Sequence, residues 1–467
     1  MANPPEPDGT GWRPRKRAGK RAELDHGLAR AIGEAIAAND AQRVAELADT
    51  LHVADKADLL EQVTHEERSF LVGLWGEALD PEILPYLDEP VRDEIVGLLP
   101  HDRLVRAIGA LDADDAIYVI EALEEGERQE LLDALPPPDR AALQEGLTYE
   151  EESAGRLMQR QVVTAPAYWS VGHVIDYLRA AADSLPEEFY DVFVVDPQRR
   201  PVGTVPLARL VRTQRPVIVR DIMRPEPHLA RVDMDQEEVA YLFSQYGLTS
   251  VAVVDGDGRI VGAITHDDVT EVIEQEAEED ILHLGGVGET DLHDSVAGTT
   301  RGRVPWLFVN LLTAVVASAV IALFEDSINR LVALAVLMPI VASMGGNAGT
   351  QTMTVAVRGL ATRDLTPSNA ARLLGKEILV GGMNGLLFAV IMGAVVWAWY
   401  GDAVLGLAIG LAMIIALIAA GLAGTLIPLA LAKLKVDPAV SAGVFLTTVT
   451  DVVGFFTFLG LATLLLL

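Results

Sequence analysis

Residues 438–467 read PAVSAGVFLTTVTDVVGFFTFLGLATLLLL, thirty residues with a single charge, Asp451. A helix needs about 20 apolar residues to cross about 30 Å of hydrocarbon. This stretch is long enough, and it is the last of five. Working back toward the N-terminus, uncharged runs cover residues 403–432, 378–401, 331–357 and 304–324. The sequence therefore predicts an all-α membrane part of five helices over 301–467. No such run lies at the N-terminus, so a cleavable secretory signal is not expected.

Splitting the charge at residue 300 separates two chemistries. Residues 301–467 carry 9 basic and 7 acidic side chains, leaving 27 and 60 in residues 1–300, a balance of −33. So acidic a soluble part argues against nucleic acid, whose affinity comes from basic protein surface, and suits cations. The absence of Cys excludes disulfides, thiolate zinc sites and cysteine nucleophiles. Lysine and arginine set the orientation. Arg301, Arg303, Arg358, Arg363, Arg372, Lys376, Lys433 and Lys435 fall on one side of alternating spans, and Arg330 alone on the other. The positive-inside rule puts the first 300 residues in the cytoplasm and the C-terminus outside, in the cell inner (plasma) membrane.

Two features of the spans go beyond anchoring. The second contains Pro339 and then Gly345-Gly346-Asn347-Ala348-Gly349. Proline removes a backbone donor and glycine weakens a helix, which predicts a break. In lipid a break persists only where it is packed by protein or lines a wet cavity. Gly345, Gly346, Asn347 and Gly349 are thus candidate pore-lining residues. Close helix packing through small residues is the alternative, and the two are compatible. The second feature is Asp451, 13 residues after Pro438 and 16 before the end. An intramembrane carboxylate is costly and marks function by default. Thr447 and Thr448 stand beside it, and Thr447 shares its helix face. A cation site fits better than a structural hydrogen bond or a proton relay. One carboxylate does not balance a dication, whereas a two-fold dimer brings two to one axis. Oxygen ligands suit a hard ion such as Mg²⁺, which keeps most of its waters.

The soluble part divides further. Residues 1–22, rich in Pro and Arg, read as a disordered basic arm. Residues 23–150 read as an acidic helical superhelix. Leu99-Pro100 with Asp102-Arg103 recurs as Leu135-Pro136 with Asp139-Arg140, an offset of 36 to 37. Asp112, Asp114 and Asp115 read as its solvated face. Residues 151–275 hold a clearer duplication. DVFVVDPQRRPVGTV at 191–205 matches SVAVVDGDGRIVGAI at 250–264, and each copy begins with a Leu-Met or Ile-Met ending at Met158 or Met223. This strand–turn–strand unit, repeated at a 59-residue offset, resembles an α/β cystathionine-β-synthase (CBS) domain pair. Such pairs often bind adenine nucleotides, which makes ATP a candidate ligand here, although no Gly-rich phosphate loop accompanies it. Residues 266–300, overlapping the end of the pair, read as an acidic connecting helix and linker. Its crowded carboxylates repel one another unless cations bridge them, which suits a gating lever better than a solubilising linker. His266, His283 and His293 show no ligand spacing and read as surface histidines.

In this order the parts resemble the MgtE family of magnesium channels, over nearly the whole chain after the arm. The most specific pieces are Gly345-Gly346-Asn347-Ala348-Gly349-Thr-Gln351, Arg358-Gly-Leu-Ala-Thr-Arg-Asp364, Val436-Asp437-Pro438-Ala439 and Thr450-Asp451-Val-Val-Gly454. The resemblance implies a homodimer in the lipid bilayer that conducts Mg²⁺ into the cytoplasm, with Asp451 holding hydrated Mg²⁺. It also implies a plug helix, closed when Mg²⁺ bridges carboxylates at Asp235, Glu237, Asp268, Glu276, Glu279 and Asp280, with Asp437 on the membrane side. Gly247 and the segment Thr204-Val205-Pro206-Leu207 depart from the family pattern. The rival readings are transport of Mn²⁺ or Co²⁺, and a non-conducting membrane-anchored sensor of Mg²⁺ or nucleotide. An enzyme is not expected: no nucleophile–base pair, P-loop or metalloprotease spacing is present.

Overall fold

The computed structural model describes residues 26–38, 40–48, 51–121, 123–182, 185–186, 189–287, 296–366 and 368–467. The basic arm and part of the glycine-rich linker lie outside the described residues. The chain forms two compact units, residues 1–276 and 277–467.

The first unit begins with short helices whose starts and stops share one device. Four residues past the N-cap of a helix, an arginine reaches back to the last carbonyls of the helix before it. Arg68, after the Thr64 cap, donates to Leu60 O (2.8 Å) and Val63 O (3.2 Å). Arg128, after Glu124, donates to Glu121 O (3.4 Å) and Leu123 O (3.2 Å). Arg140, after Pro136, donates to Asp133 O (2.6 Å) and Leu135 O (3.3 Å). Helix C-termini leave four carbonyls without intrahelical partners, and each guanidinium group bonds two carbonyls there, tying one helix end to the next helix. The Leu-Pro motif does the apolar half of the same work. Leu99 and Leu135 are buried, and Pro100 and Pro136 are the N-caps of the helices His101–Ile108 and Pro137–Gly146.

The CBS pair carries seven strands: β1 Thr164–Pro166, β2 Asp191–Val195, β3 Pro201–Pro206, β4 Arg224–Pro225, β5 Leu229–Arg231, β6 Ser250–Val254 and β7 Ile260–Thr265. They form two sheets in the orders β1-β2-β3-β4 and β5-β6-β7. In each, a parallel pair precedes an antiparallel one, with a register shift at the equivalent place, Val194/Val195 and Val253/Val254. The turns match as well. The Asp196 carboxylate accepts from the amides of Gln198 and Arg200, and Asp255 from those of Asp257 and Arg259. The left-handed position of the turn is Gly258 (φ 77°) in the second copy and Arg199 (φ 63°) in the first.

One boundary differs from the sequence reading. The Leu-Met that precedes the first copy packs in the second module, and the Ile-Met between the copies packs in the first. A Cβ on Gly262 would stand 2.6 Å from Met158 Sδ, and one on Gly203 2.8 Å from Met223 Sδ. Only glycine admits these close approaches. The two modules thereby exchange their leading segments, and neither can be cut from the other between the copies.

In the second unit five described helices are long and apolar enough to cross a membrane: Val296–Ala322, Ala333–Ala361, Ala370–Tyr400, Ala403–Lys433 and Pro438–Leu466. The fourth is the centre of the packing, with 56% of its apolar window buried, against 6% for the first and 11% for the third. The first and third therefore turn most of their apolar surface outward. The expected break in the second span does not occur. It is one α-helix through Pro339 and all the glycines. Close packing is the reason. A Cβ on Gly349 would lie 2.9 Å from Leu446 of the fifth span, and one on Gly424 of the fourth span 2.7 Å from the Gly349 carbonyl. The missing side chains let the backbones of the second and fourth spans approach and let the Leu446 side chain pack against Gly349, and this contact holds the helix together where propensity alone would not.

Candidate metal centres

Asp451 lies half-buried in the middle of the fifth span. Its threonine neighbours are turned into their own helix. Thr447 donates to Gly443 O at 2.9 Å, Thr448 to Val444 O at 2.8 Å, and the fully buried Thr450 to Leu446 O at 3.1 Å. Their protons are thus occupied, and what the hydroxyls still offer is oxygen lone pairs, which suit a cation or its water shell. The four candidates in the second span separate into two pairs. Gly345 and Gly349 are buried against the fifth span, at Thr450 and Leu446 respectively. They make the close helix packing that the sequence left open beside pore lining. Gly346 is half-buried and Asn347 exposed. A further membrane-region carboxylate went unread because the third apolar run was counted from Ile378. Glu377 accepts a 2.9 Å hydrogen bond from Thr352 of the second span.

The second cluster is built where the connecting helix His266–Leu284 ends and the fifth span begins. Glu279 and His283 stand four apart on one helix face. His283 Nδ1 lies 3.5 Å from Glu279 Oε1 and 3.5 Å from Asp437 Oδ2, with only 12% of the imidazole exposed. These three are the described group of His and carboxylate residues whose ligand atoms all fall within 4.8 Å of one another. The adjacent Asp280 carboxyl is pushed above its ordinary range by burial, and then by the Asp437 charge. Glu279, Asp280 and Asp437 are thus brought together as a set. His283 is not a surface histidine, which corrects the sequence expectation, and its i, i+4 spacing from Glu279 is a signal that the reading of ligand spacing passed over.

The third cluster lies within the first unit. Glu82, Tyr86, Asp114, Asp115, Asp267 and Asp268 line a cleft of about 20 Å³, which admits an ion and excludes a nucleotide. Asp268 accepts from Thr265 N (3.3 Å) and Thr265 Oγ1 (2.9 Å), closing the first turn of the connecting helix. Burial, and next the Asp267 charge, push its carboxyl up to about 7. Asp115 is 9% exposed, not part of a solvated face. Its place one turn before the buried Val119 was the legible sign. The remaining expected ligands lie elsewhere in this unit. Asp235 and Glu237 are exposed at the start of the helix Gln236–Tyr246, where Asp235 accepts from Glu237 N at 2.8 Å. Glu276 accepts from Gln236 Nε2 at 2.8 Å.

Comparison with known proteins bears on the whole arrangement. The family model described as a divalent cation transporter, MgtE, matches residues 338–461. The MgtE intracellular N domain matches residues 51–152, and a CBS domain matches 219–275. The magnesium transporter MgtE of Thermus thermophilus is 38% identical over 68% of this chain and 71% of its own length. The protein of the same name from Enterococcus faecalis is 34% identical over 69% of this chain and 71% of its own. A crystallised cytosolic domain of the Mg²⁺ channel MgtE in complex with ATP is 33% identical, with a TM-score of 0.48, over 52% of this chain and 99% of that one. With five membrane-length helices behind a CBS pair and a helical N-domain, the chain belongs to the MgtE family of magnesium transporters, multi-pass membrane proteins that move an ion rather than catalyse a reaction.

Proposed function

We propose that this chain is a Mg²⁺-selective channel, working as a homodimer, that admits Mg²⁺ to the cytoplasm and is closed by Mg²⁺ bound along its connecting helix. The observation that carries the reading is Asp451, a lone carboxylate held half-buried at mid-span among threonine oxygens. Two copies facing one axis supply the charge that a hydrated dication needs. The lysine and arginine bias supports a cytoplasmic position for residues 1–300. There, the clusters at Glu279–Asp280–Asp437 and at Asp115–Asp268 sense the ion. When Mg²⁺ leaves, their carboxylates repel and the closed state loses its differential stabilisation. Asp235, Glu237 and Glu276 belong to the same regulatory set. ATP is assigned to the CBS pair as a second effector.

The test is Mg²⁺ flux into proteoliposomes holding the full chain, with Mg²⁺ varied on the cytoplasmic side and Mn²⁺ or Co²⁺ as competitor. Flux that falls as cytoplasmic-side Mg²⁺ rises is the expected result. Preference for Mn²⁺ or Co²⁺ moves the assignment to those ions. No flux from folded dimers moves it to a non-conducting sensor.

A further inference from the structure

His283 makes the cluster at the end of the connecting helix chemically unlike the rest of this acidic chain. Its Nδ1 is buried and makes no hydrogen bond within the described structure. A charged imidazole paired with a carboxylate sits at about 2.7–2.9 Å from it. Here Nδ1 stands 3.5 Å from each of two carboxylate oxygens, equally far from both. That spacing is the edge of a coordination shell. Ligands about 2.0–2.1 Å from a tetrahedral metal ion lie about 3.3–3.4 Å apart. Glu279, His283 and Asp437 offer one nitrogen and two oxygens that all lie within 4.8 Å of one another. Asp280, beside them and facing the same Asp437 charge, gives a further carboxylate at the rim.

We propose that Glu279, His283 and Asp437 form a site for an imidazole-preferring transition-metal dication of the Zn²⁺ class, with His283 as an inner-sphere ligand. Mg²⁺ is a hard ion that selects oxygen and sheds its water reluctantly. An imidazole nitrogen offers it little, and offers Zn²⁺ a preferred ligand. The inference rests on the reading of Glu279, Asp280 and Asp437 as regulatory cation ligands, and gives that set a metal preference. A bound ion ties the last turn of the connecting helix to the first residue before the fifth span. Trace transition metal therefore holds this junction closed at concentrations where Mg²⁺ does not.

The experiment uses the full-length protein in detergent, stripped of metal. Zn²⁺ affinity is read by competition with a chromophoric chelator, and Mg²⁺ affinity by displacement of that Zn²⁺. The ratio of the two is compared between the wild type and His283→Asn. Loss of the imidazole is expected to lower Zn²⁺ affinity by about 10–100-fold, the scale on which metal sites respond to lost supporting groups, and to move Mg²⁺ affinity far less. Equal Zn²⁺ affinity in the two proteins overturns the site, as does a parallel fall for both ions. Should His283→Asn fail to fold, X-ray absorption at the zinc edge of the wild-type protein decides instead. Imidazole scattering supports the site, and an all-oxygen shell overturns it. Binding is measured without flux. A protein that conducts no Mg²⁺ therefore refutes the proposed channel and leaves this result intact, while a failed Zn²⁺ preference refutes only the site.

Discussion

The connecting helix His266–Leu284 carries eight carboxylates in 19 residues, and the fifth span Pro438–Leu466 carries one in 29. Counting charge suggests that the first matters more. Environment reverses the order. A carboxylate at the surface of a water-exposed helix keeps its water, and a single surface ion pair is worth about 0–1 kcal/mol. A carboxylate in mid-span has no bulk water, and its presence there needs a functional reason. The helix therefore acts through its sum and the span through one atom pair. Substitutions that remove a single charge should discriminate the two sharply.

The largest effect belongs to the span. Asp451→Asn keeps the size and the hydrogen-bonding capacity of the side chain and removes its charge. Mg²⁺ flux should fall to the background of empty liposomes while the protein elutes and unfolds as the wild type does. Flux retained at wild-type level removes Asp451 from the conduction path. Next comes the helix, where more than one charge has to go. Glu279→Gln with Asp280→Asn should leave conduction intact at low cytoplasmic-side Mg²⁺ and shift its half-inhibition to at least about tenfold higher Mg²⁺, about 1.4 kcal/mol of lost coupling. An unmoved inhibition curve breaks the link between the helix and closure.

How much of this was legible in the sequence differs between the same two regions. The spans read almost directly, because an apolar run of bilayer length has few alternatives. What misled was local propensity. Pro339 and Gly345–Gly349 predict a break, yet the fourth-span backbone at Gly424 and the Leu446 side chain close on Gly349, and that contact belongs to other parts of the chain. The CBS duplication was visible residue by residue, and the exchange of Met158 and Met223 between modules was not. A repeat in sequence says nothing about which copy a flanking segment joins. The acidic residues were the least legible. Asp114 and Asp115 look like solvent-facing charge until the cleft with Asp267 and Asp268 places them opposite other carboxylates. His283 acquires a meaning only when Asp437, 154 positions later, stands beside it.

The Asp268 cleft sharpens the comparison with a pH dependence. Its carboxyl has a folded-state value of about 7 against an ordinary 3.8, so the folded protein holds a proton that the unfolded chain has lost. That contribution to stability is complete below about pH 4 and disappears as pH rises through 7. Without Mg²⁺, this group destabilises the first unit near pH 8 relative to pH 6. A cation must displace the proton, so its affinity rises by up to about tenfold per pH unit below 7 and levels off above it. The Mg²⁺-induced rise in unfolding temperature should be larger near pH 8 than near pH 6 in the wild type. In Asp268→Asn that difference should largely vanish. A Mg²⁺ effect independent of pH in the wild type removes Asp268 from the ion's shell.

The smallest effect sits where the two helices meet. Asp437 divides its oxygens between them: Oδ1 accepts from Ala439 N at 2.8 Å and caps the fifth span, while Oδ2 faces His283 at 3.5 Å. The two roles separate by substitution. Asp437→Asn keeps an oxygen for the cap and loses the charge, and Asp437→Ala loses both. An N-cap is worth about 1 kcal/mol over alanine, so the alanine variant should be less stable than the asparagine variant by about that amount when unfolded in detergent. Cation affinity at the Glu279 cluster should fall in both, and by a similar factor, because charge is what the site requires of this residue. Equal stability of the two variants means that the first turn of the fifth span is held by its packing instead, through the buried Ala439 and Ala442. Equal cation affinity of asparagine variant and wild type means that Oδ2 faces His283 as a neighbour only, and that the ligands lie on the connecting helix alone.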